Sequence, residues 1–138
     1  MNLATLRVQG TDEALHSLCS QIGLVADSTW KKGDPKRRGG CFSTSGLSAT
    51  IVDANNPAEL VSAIRAFVAK CKEQGIVLAS PSLSAELAIG VTVGDSQQFV
   101  ACVDFSSSDL LSLGTLGVEL TIAAYPTSDE ANEELPDA

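Results

Sequence analysis

The feature of this sequence that most constrains its fold is a strongly marked helix between Asn56 and Gly75. Asn56 provides an N-terminal cap, Pro57 takes the first helical position, and Glu59 is placed to complete a capping box. Apolar residues then recur at helical spacing, at Leu60, Val61, Ile64, Phe67, Val68 and Cys71. Because Gly75 ends the helix, the apolar run at residues 76–79 predicts a short buried strand that follows it directly.

The residues before this helix predict strand, helix and strand in turn. Residues 3–8 alternate apolar and polar side chains as a half-buried strand does, and Thr11 caps a helix that Gly23 ends. An extended segment is predicted at residues 24–30. A strand or hairpin is predicted at residues 41–52.

The residues after it predict a hairpin, a third helix and a final strand. Residues 87–93 and 99–105 are rich in β-branched and aromatic residues and predict an antiparallel hairpin. A short helix begins at Ser106, where Asp109 replaces the usual Glu of a capping box, and a strand follows at residues 118–125. The whole pattern predicts an α+β fold, a single-domain sandwich of an antiparallel or mixed sheet with about three helices packed mainly on one face.

The chain is acidic, with a net charge of −8 over 138 residues, a length that fits one domain. We assign the domain to residues 1–126 and expect a flexible acidic tail at residues 127–138. An acidic body repels nucleic acid and anionic membranes, so we expect neither as a partner and favour one with a basic surface. No window is apolar enough to span a bilayer and no secretory signal is evident, which predicts a cytoplasmic protein.

Residues 29–40 form a basic segment in this acidic chain. They contain Trp30, the only tryptophan, and five of the nine basic residues. With Asp34, the one acidic residue of the segment, its net charge is +4, and the net charge of the rest of the chain is −12. A tryptophan beside cations can stack on them and order a loop, anchor a partner, or pack at the core edge. The glycine spacing is not that of a phosphate-binding loop. We interpret Trp30 and Asp34 as residues that order the loop. Three cations then remain free for a contact: Lys36, Arg37 and Arg38.

The remaining polar residues form no recognisable catalytic constellation. His16, the only histidine, is expected at a flanking or exposed position of the first helix, and no nucleophile-elbow sequence accompanies it. The helix dipole is sufficient to explain Asp109, which lies at a helix start. The candidates for a partner contact are Asp104 and, in the predicted hairpin turn, Asp95. We therefore expect no enzyme activity, no metal site and no cofactor.

The four cysteines are far apart in sequence and form no Cys-x-x-Cys pair, which argues against a zinc knuckle or a redox pair. They are Cys19, Cys41, Cys71 and Cys102. Each lies among apolar residues of a predicted helix or strand, so we expect core thiols in a fold that survives reducing conditions.

Two segments carry a resemblance to a known family. Residues 30–35 read Trp-Lys-Lys-Gly-Asp-Pro, and residues 109–122 form a leucine-rich helix leading into the final strand with Tyr125. Together with the opening strand and helix, they make the chain similar, apart from its tail, to a family of small bacterial proteins catalogued as a domain of unknown function. Phe42 represents the second aromatic residue expected after the basic loop. Members of that family occur among immunity proteins paired with secreted bacterial toxins, so the resemblance implies binding rather than turnover.

These observations predict a non-catalytic protein-binding module, an immunity protein that neutralises a cognate toxin by occluding its active site. A compact acidic surface can mimic a polyanionic substrate and associate quickly with a basic cleft. The alternative is an intracellular regulatory or small-anion-binding module that uses the Trp30 loop as a lid. The predicted partner-binding residues are Trp30, Lys36, Arg37, Arg38, Asp95 and Asp104.

Overall fold

Five strands form one mixed sheet in the computed structural model, which describes residues 1–94 and 100–127. The elements of this part of the chain are β1 (Asn2–Gly10), α1 (Asp12–Ile22), β2 (Ser28–Trp30), β3 (Ser45–Asp53), α2 (Pro57–Glu73), β4 (Leu83–Val93), α3 (Ser107–Leu116) and β5 (Val118–Pro126). The strand order is β2-β3-β1-β4-β5; every neighbouring pair is antiparallel except β4 and β5, which are parallel. The predicted α+β class, with a mixed sheet and three helices, is confirmed.

The three helices pack on one face of this sheet. In β1, Ala4, Leu6 and Val8 point towards the helices and are fully buried, whereas Arg7 points to the opposite face and is exposed. Complete burial of a leucine contributes about 1.5–3 kcal/mol, so this alternation strongly favours one orientation of the strand. The helices supply the facing apolar side chains, among them Leu15, Leu18, Leu60, Ile64 and Leu113.

The predicted caps of the first two helices are confirmed, because Thr11 and Asn56 each accept a backbone N–H from the first turn. The Asn56 side chain accepts the Glu59 N–H at 2.9 Å. The expected capping box of α2 is incomplete, however. The Glu59 carboxylate accepts the N–H of Asn55 at 3.3 Å, one residue before the cap.

A complete capping box at the start of α3 also carries an ion pair. Ser106 Oγ accepts the Asp109 N–H at 3.1 Å, and Asp109 Oδ2 accepts the Ser106 N–H at 2.8 Å. Arg65 of α2 donates Nε and Nη2 to the two carboxylate oxygens at 2.8 and 2.7 Å. The Arg65 guanidinium, followed by the Ser106 N–H, holds the pKa of Asp109 well below its usual range. Asp109 thus both caps α3 and ties it to α2.

The strand predicted at residues 76–79 is wrong. This segment is irregular; Ile76 and Leu78 are buried while Val77 between them is exposed, so it shows the alternation of a strand without pairing in the sheet. Instead, the Leu78 N–H donates to the Leu116 carbonyl oxygen at 2.8 Å. The apolar residues are explained by burial against the helices.

The predicted hairpin is wrong for the residues that the structure describes. β4 forms as expected, but its two sides are occupied by β1 and β5, and residues 100–105 are not a strand. Val103 and Phe105 pack partly buried against the core, while Asp104 between them is exposed. This packing accounts for the strand-like pattern. Residues 95–98 of the predicted turn and Phe99 lie outside the described residues.

The expectation of four core cysteines is wrong for two of them. Cys71 is buried and Cys19 packs at the core edge, but Cys41 and Cys102 are exposed. Both exposed cysteines lie in segments that are not strands, so no alternation directs their side chains inward. All four are free thiols.

The Asp109 ion pair predicts an acid-sensitive component of stability. Because the pKa of Asp109 is lower in the folded than in the unfolded chain, its contribution is present at neutral pH and is lost as the pH falls below about 4. Asp109→Asn should therefore lower the free energy of unfolding at pH 7, and the difference from wild type should narrow towards pH 3. Urea denaturation across this range tests it. Arg65→Met should behave in the same way, and a difference that stays constant with pH would contradict the prediction.

Candidate functional site

Residues 31–42, which we call the basic hairpin, fold into a hydrogen-bonded loop between β2 and β3. At its base, the Gly33 N–H donates to the Phe42 carbonyl oxygen at 2.8 Å. The Phe42 N–H in turn donates to the Asp34 carbonyl oxygen at 2.9 Å. The Asp34 carboxylate accepts the Lys31 N–H at 2.8 Å, closing a local turn. The prediction that Asp34 orders this segment is confirmed.

The tip of the basic hairpin presents two adjacent arginines. The Lys36 N–H donates to the Gly40 carbonyl oxygen at 2.9 Å, and the Gly39 N–H donates to the Lys36 carbonyl oxygen at 3.2 Å. Arg37 and Arg38 therefore occupy the two central positions of a β-turn, where side chains point into solvent. Both are exposed, and neither forms an ion pair within the described residues.

A run of stacked side chains, which we call the aromatic–cation stack, joins the basic hairpin to the sheet. The rings of Trp30 and Phe42 are stacked, with centroids 5.0 Å apart and planes 23° from parallel. The guanidinium carbon of Arg7 lies 4.7 Å from the Trp30 ring centroid, and Lys36 Nζ lies 5.5 Å from that of Phe42. Each cation over a ring contributes about 0.5–1 kcal/mol at an exposed site.

The stack depends on a close approach of Trp30 to β3. Trp30 pairs with Gly46 in the ladder between β2 and β3, and Trp30 Nε1 donates to the Thr44 carbonyl oxygen at 3.1 Å. A Cβ at Gly46 would overlap the indole ring and lie 2.8 Å from the Val8 carbonyl oxygen. Trp30 is thus half-buried on the sheet face opposite the helices. It orders the loop by stacking on Arg7, a residue of another strand.

A polar cavity of about 450 Å³ lies at the base of the hairpin. It is lined by Lys32, by Asp12 at the start of α1 and by a series of hydroxyl side chains, including Ser43, Thr44, Ser45, Ser80, Ser82 and Ser84. Ser45 is buried, and its Oγ accepts the Lys32 N–H at 3.1 Å. The pKa of Asp12 is lowered mainly by a hydrogen bond from the Ser45 side chain and, as the next largest cause, by one from the Lys31 side chain. The cavity therefore contains both a cation and a carboxylate.

The structure brings only some of the predicted site residues together. Trp30 and Lys36 belong to the aromatic–cation stack, and the two tip arginines extend beyond it. Asp104 is exposed and lines a separate cavity of about 700 Å³ beside the N-terminus of α2, with Arg65 and Cys102. Asp95 lies outside the described residues.

The predicted position of His16 is confirmed, since it is exposed on α1. Within residues 1–94 and 100–127, no group of three His, Cys, Asp or Glu side chains is arranged to hold a metal ion.

Arg7 and Gly46 are the site residues that the sequence reasoning missed. The alternation in β1 does indicate that Arg7 points away from the buried face. Nothing in that pattern places it beside Trp30, because the order of strands in the sheet is a long-range property.

Comparison of the chain with protein-family models, curated proteins and solved structures finds no match. The family resemblance stays a prediction. Across the described part of the chain, none of the helices combines the length and apolar character needed to cross a membrane.

We predict that a methyl group at position 46 disrupts the stack. Gly46→Ala should lower the free energy of unfolding by about 1–3 kcal/mol because the added carbon overlaps the Trp30 ring. As Trp30 is the only tryptophan, its displacement into water should also shift the fluorescence emission to longer wavelength.

Gly114→Ala is the matched control, because a Cβ at this position in α3 meets no atom within 4 Å. It should leave the emission unchanged and stabilise the helix by about 0.5–1 kcal/mol. Equal emission spectra for wild type and Gly46→Ala would show that the indole does not depend on this close approach.

Proposed function

We propose that this protein is a non-catalytic protein-binding module, an immunity protein that neutralises a cognate bacterial toxin by occluding its active site. The observation that carries the proposal is the basic hairpin, an ordered and exposed projection on an otherwise acidic domain. The family resemblance in residues 30–35 and 109–122 agrees with this function.

The shape of the hairpin favours a macromolecular partner. Small-molecule sites are concave and enclose their ligand, whereas Arg37 and Arg38 stand at the outer corner of a turn. A convex, positively charged tip suits insertion into a groove of a partner protein. The stack of Trp30 and Phe42 and the turn at Asp34 hold the tip in place before binding, which reduces the entropy lost on association.

The separation of charge favours one orientation of the complex. The basic hairpin region carries +4 and the rest of the chain −12, so the two parts are attracted to surfaces of opposite sign. A toxin with a basic cleft would attract the acidic body, and an acidic rim beside that cleft would receive the hairpin. Such complementarity raises the association rate and fixes the register of the complex.

We place this function in the cytoplasm. The four cysteines are unpaired, and Cys41 and Cys102 are exposed thiols that a reducing compartment would preserve. An immunity protein acting there would meet the toxin before it reaches its target.

Co-expression with the product of the adjacent gene tests the proposal. The protein should protect cells from that product, and a 1:1 complex should elute from size exclusion at low salt. Absence of both a complex and protection would refute it.

Within such a complex, Arg38→Glu should weaken binding about tenfold, mainly through slower association, and should reduce the dependence of the association rate on salt. Lys72→Glu is the matched control, because Lys72 is also exposed, on α2, and the change in net charge is identical. Surface plasmon resonance at two salt concentrations measures the affinity and the association rate of both variants. Equal losses for the two variants would mean that net charge, rather than the hairpin, governs binding.

The alternative, a small-anion-binding module, is favoured by the 450 Å³ cavity beside Lys32. The carboxylate of Asp12 in the same cavity opposes an anion, so we rank this function second. Titration with inorganic phosphate and with a sugar phosphate distinguishes the anion-binding function from the protein-binding function. A saturable change in Trp30 fluorescence, with no response to the neighbouring protein, would favour the anion site.

A further inference from the structure

We propose that β5 is a self-association strand, which pairs antiparallel with the β5 strand of a second copy of this chain and extends the sheet across a two-fold axis. This inference is independent of the proposed immunity function. It rests on the contrast between the two edges of the sheet and on the pattern of backbone and side-chain groups along β5.

The two edges of the sheet differ in how they are protected. Soluble proteins blunt edge strands by making them short or by adding lysines, prolines or bulges. The β2 edge has three residues and leads into the basic hairpin. The β5 edge has nine residues, of which Glu119 is the only charged one and Pro126 is the last. Among the described residues, no strand pairs with the outer side of β5.

The backbone of β5 directs alternate residues to this free edge. The Thr127 N–H donates to the Val93 carbonyl oxygen at 2.8 Å, which continues the parallel ladder with β4. Residues of the same parity, such as Ala123, therefore bond to β4. The residues between them turn their N–H and C=O groups outwards. These are Leu120, Ile122 and Ala124.

A two-fold axis at Ile122, the central residue of β5, makes this edge complementary to itself. Ile122 then lies opposite Ile122 of the second copy, and Leu120 lies opposite Ala124, so outward-facing groups meet outward-facing groups. Glu119 lies opposite Tyr125 rather than opposite another Glu119. Full overlap of the two strands is thus reached without juxtaposing like charges.

An exposed apolar strip accompanies the edge on the helix side. Ile122 lies on the same side of β5 as the core-packed Leu120, yet remains 49% exposed. Because only Gly117 joins α3 to β5, the two elements run back on each other. Rises of about 1.5 Å per residue in the helix and about 3.3 Å per residue in the strand bring Leu110, which is 52% exposed, to the level of Leu120, one side chain before Ile122 on the same side of β5. Pairing of two copies would cover these side chains.

Sedimentation equilibrium over a wide concentration range tests the inference. The mean mass of the full chain should rise from 14.3 kDa towards twice that value. Ile122→Lys should abolish this rise while leaving the circular dichroism spectrum unchanged. Val25→Lys is the matched control, since Val25 is 81% exposed in the segment before β2, and it should associate like wild type. A wild-type chain that stays monomeric, or loss of association in both variants, would overturn the inference.

Amide hydrogen exchange of the wild-type chain provides an independent readout. In dilute solution, the outward amides of Leu120, Ile122 and Ala124 should exchange quickly and that of Ala123 slowly. At high concentration, the outward amides should become protected as the dimer forms. Fast exchange at every concentration would overturn the inference. So would protection that does not change with concentration, because it would mean that the chain covers its own edge.

Discussion

The burial of one face of β1 beneath the helices is the constraint on which the rest of the structure depends. β1 is the middle strand, hydrogen-bonded on both sides, and its residues Ala4, Leu6 and Val8 are completely buried. A shift of one residue would exchange this face with the polar one and expose the core. The register of β3 and β4 against β1 follows from this burial, and so does the confinement of the helices to a single layer.

The same alternation creates the candidate site. Because Leu6 and Val8 point inwards, Arg7 points to the opposite face, where Trp30 can approach through the space left at Gly46. The aromatic–cation stack therefore depends on the core, although all its members lie outside it. Its energy is modest, but it gives the exposed cations a defined position on a domain of opposite charge. That arrangement is the physical basis of the proposed binding function.

The two proposed interaction surfaces lie at opposite edges of one sheet. The basic hairpin follows β2 at one edge, and β5 forms the other. Pairing through β5 would leave both hairpins accessible at the far ends of the extended sheet, so self-association and partner binding would not compete. A dimer would then offer two equivalent partner sites.

By itself, the sequence determined the locally encoded features: the caps at Thr11, Asn56 and Ser106, the apolar faces of the helices, and the alternation of β1. Each depends on residues within a few positions of one another. Only the tertiary structure decided which alternating segments pair, because Leu78 is buried and Phe105 partly buried in the core although neither belongs to a strand of the sheet. It also decided the neighbour of Trp30. The strand order brings Arg7, 23 positions earlier in the chain, next to it, a separation over which periodicity and capping carry no information.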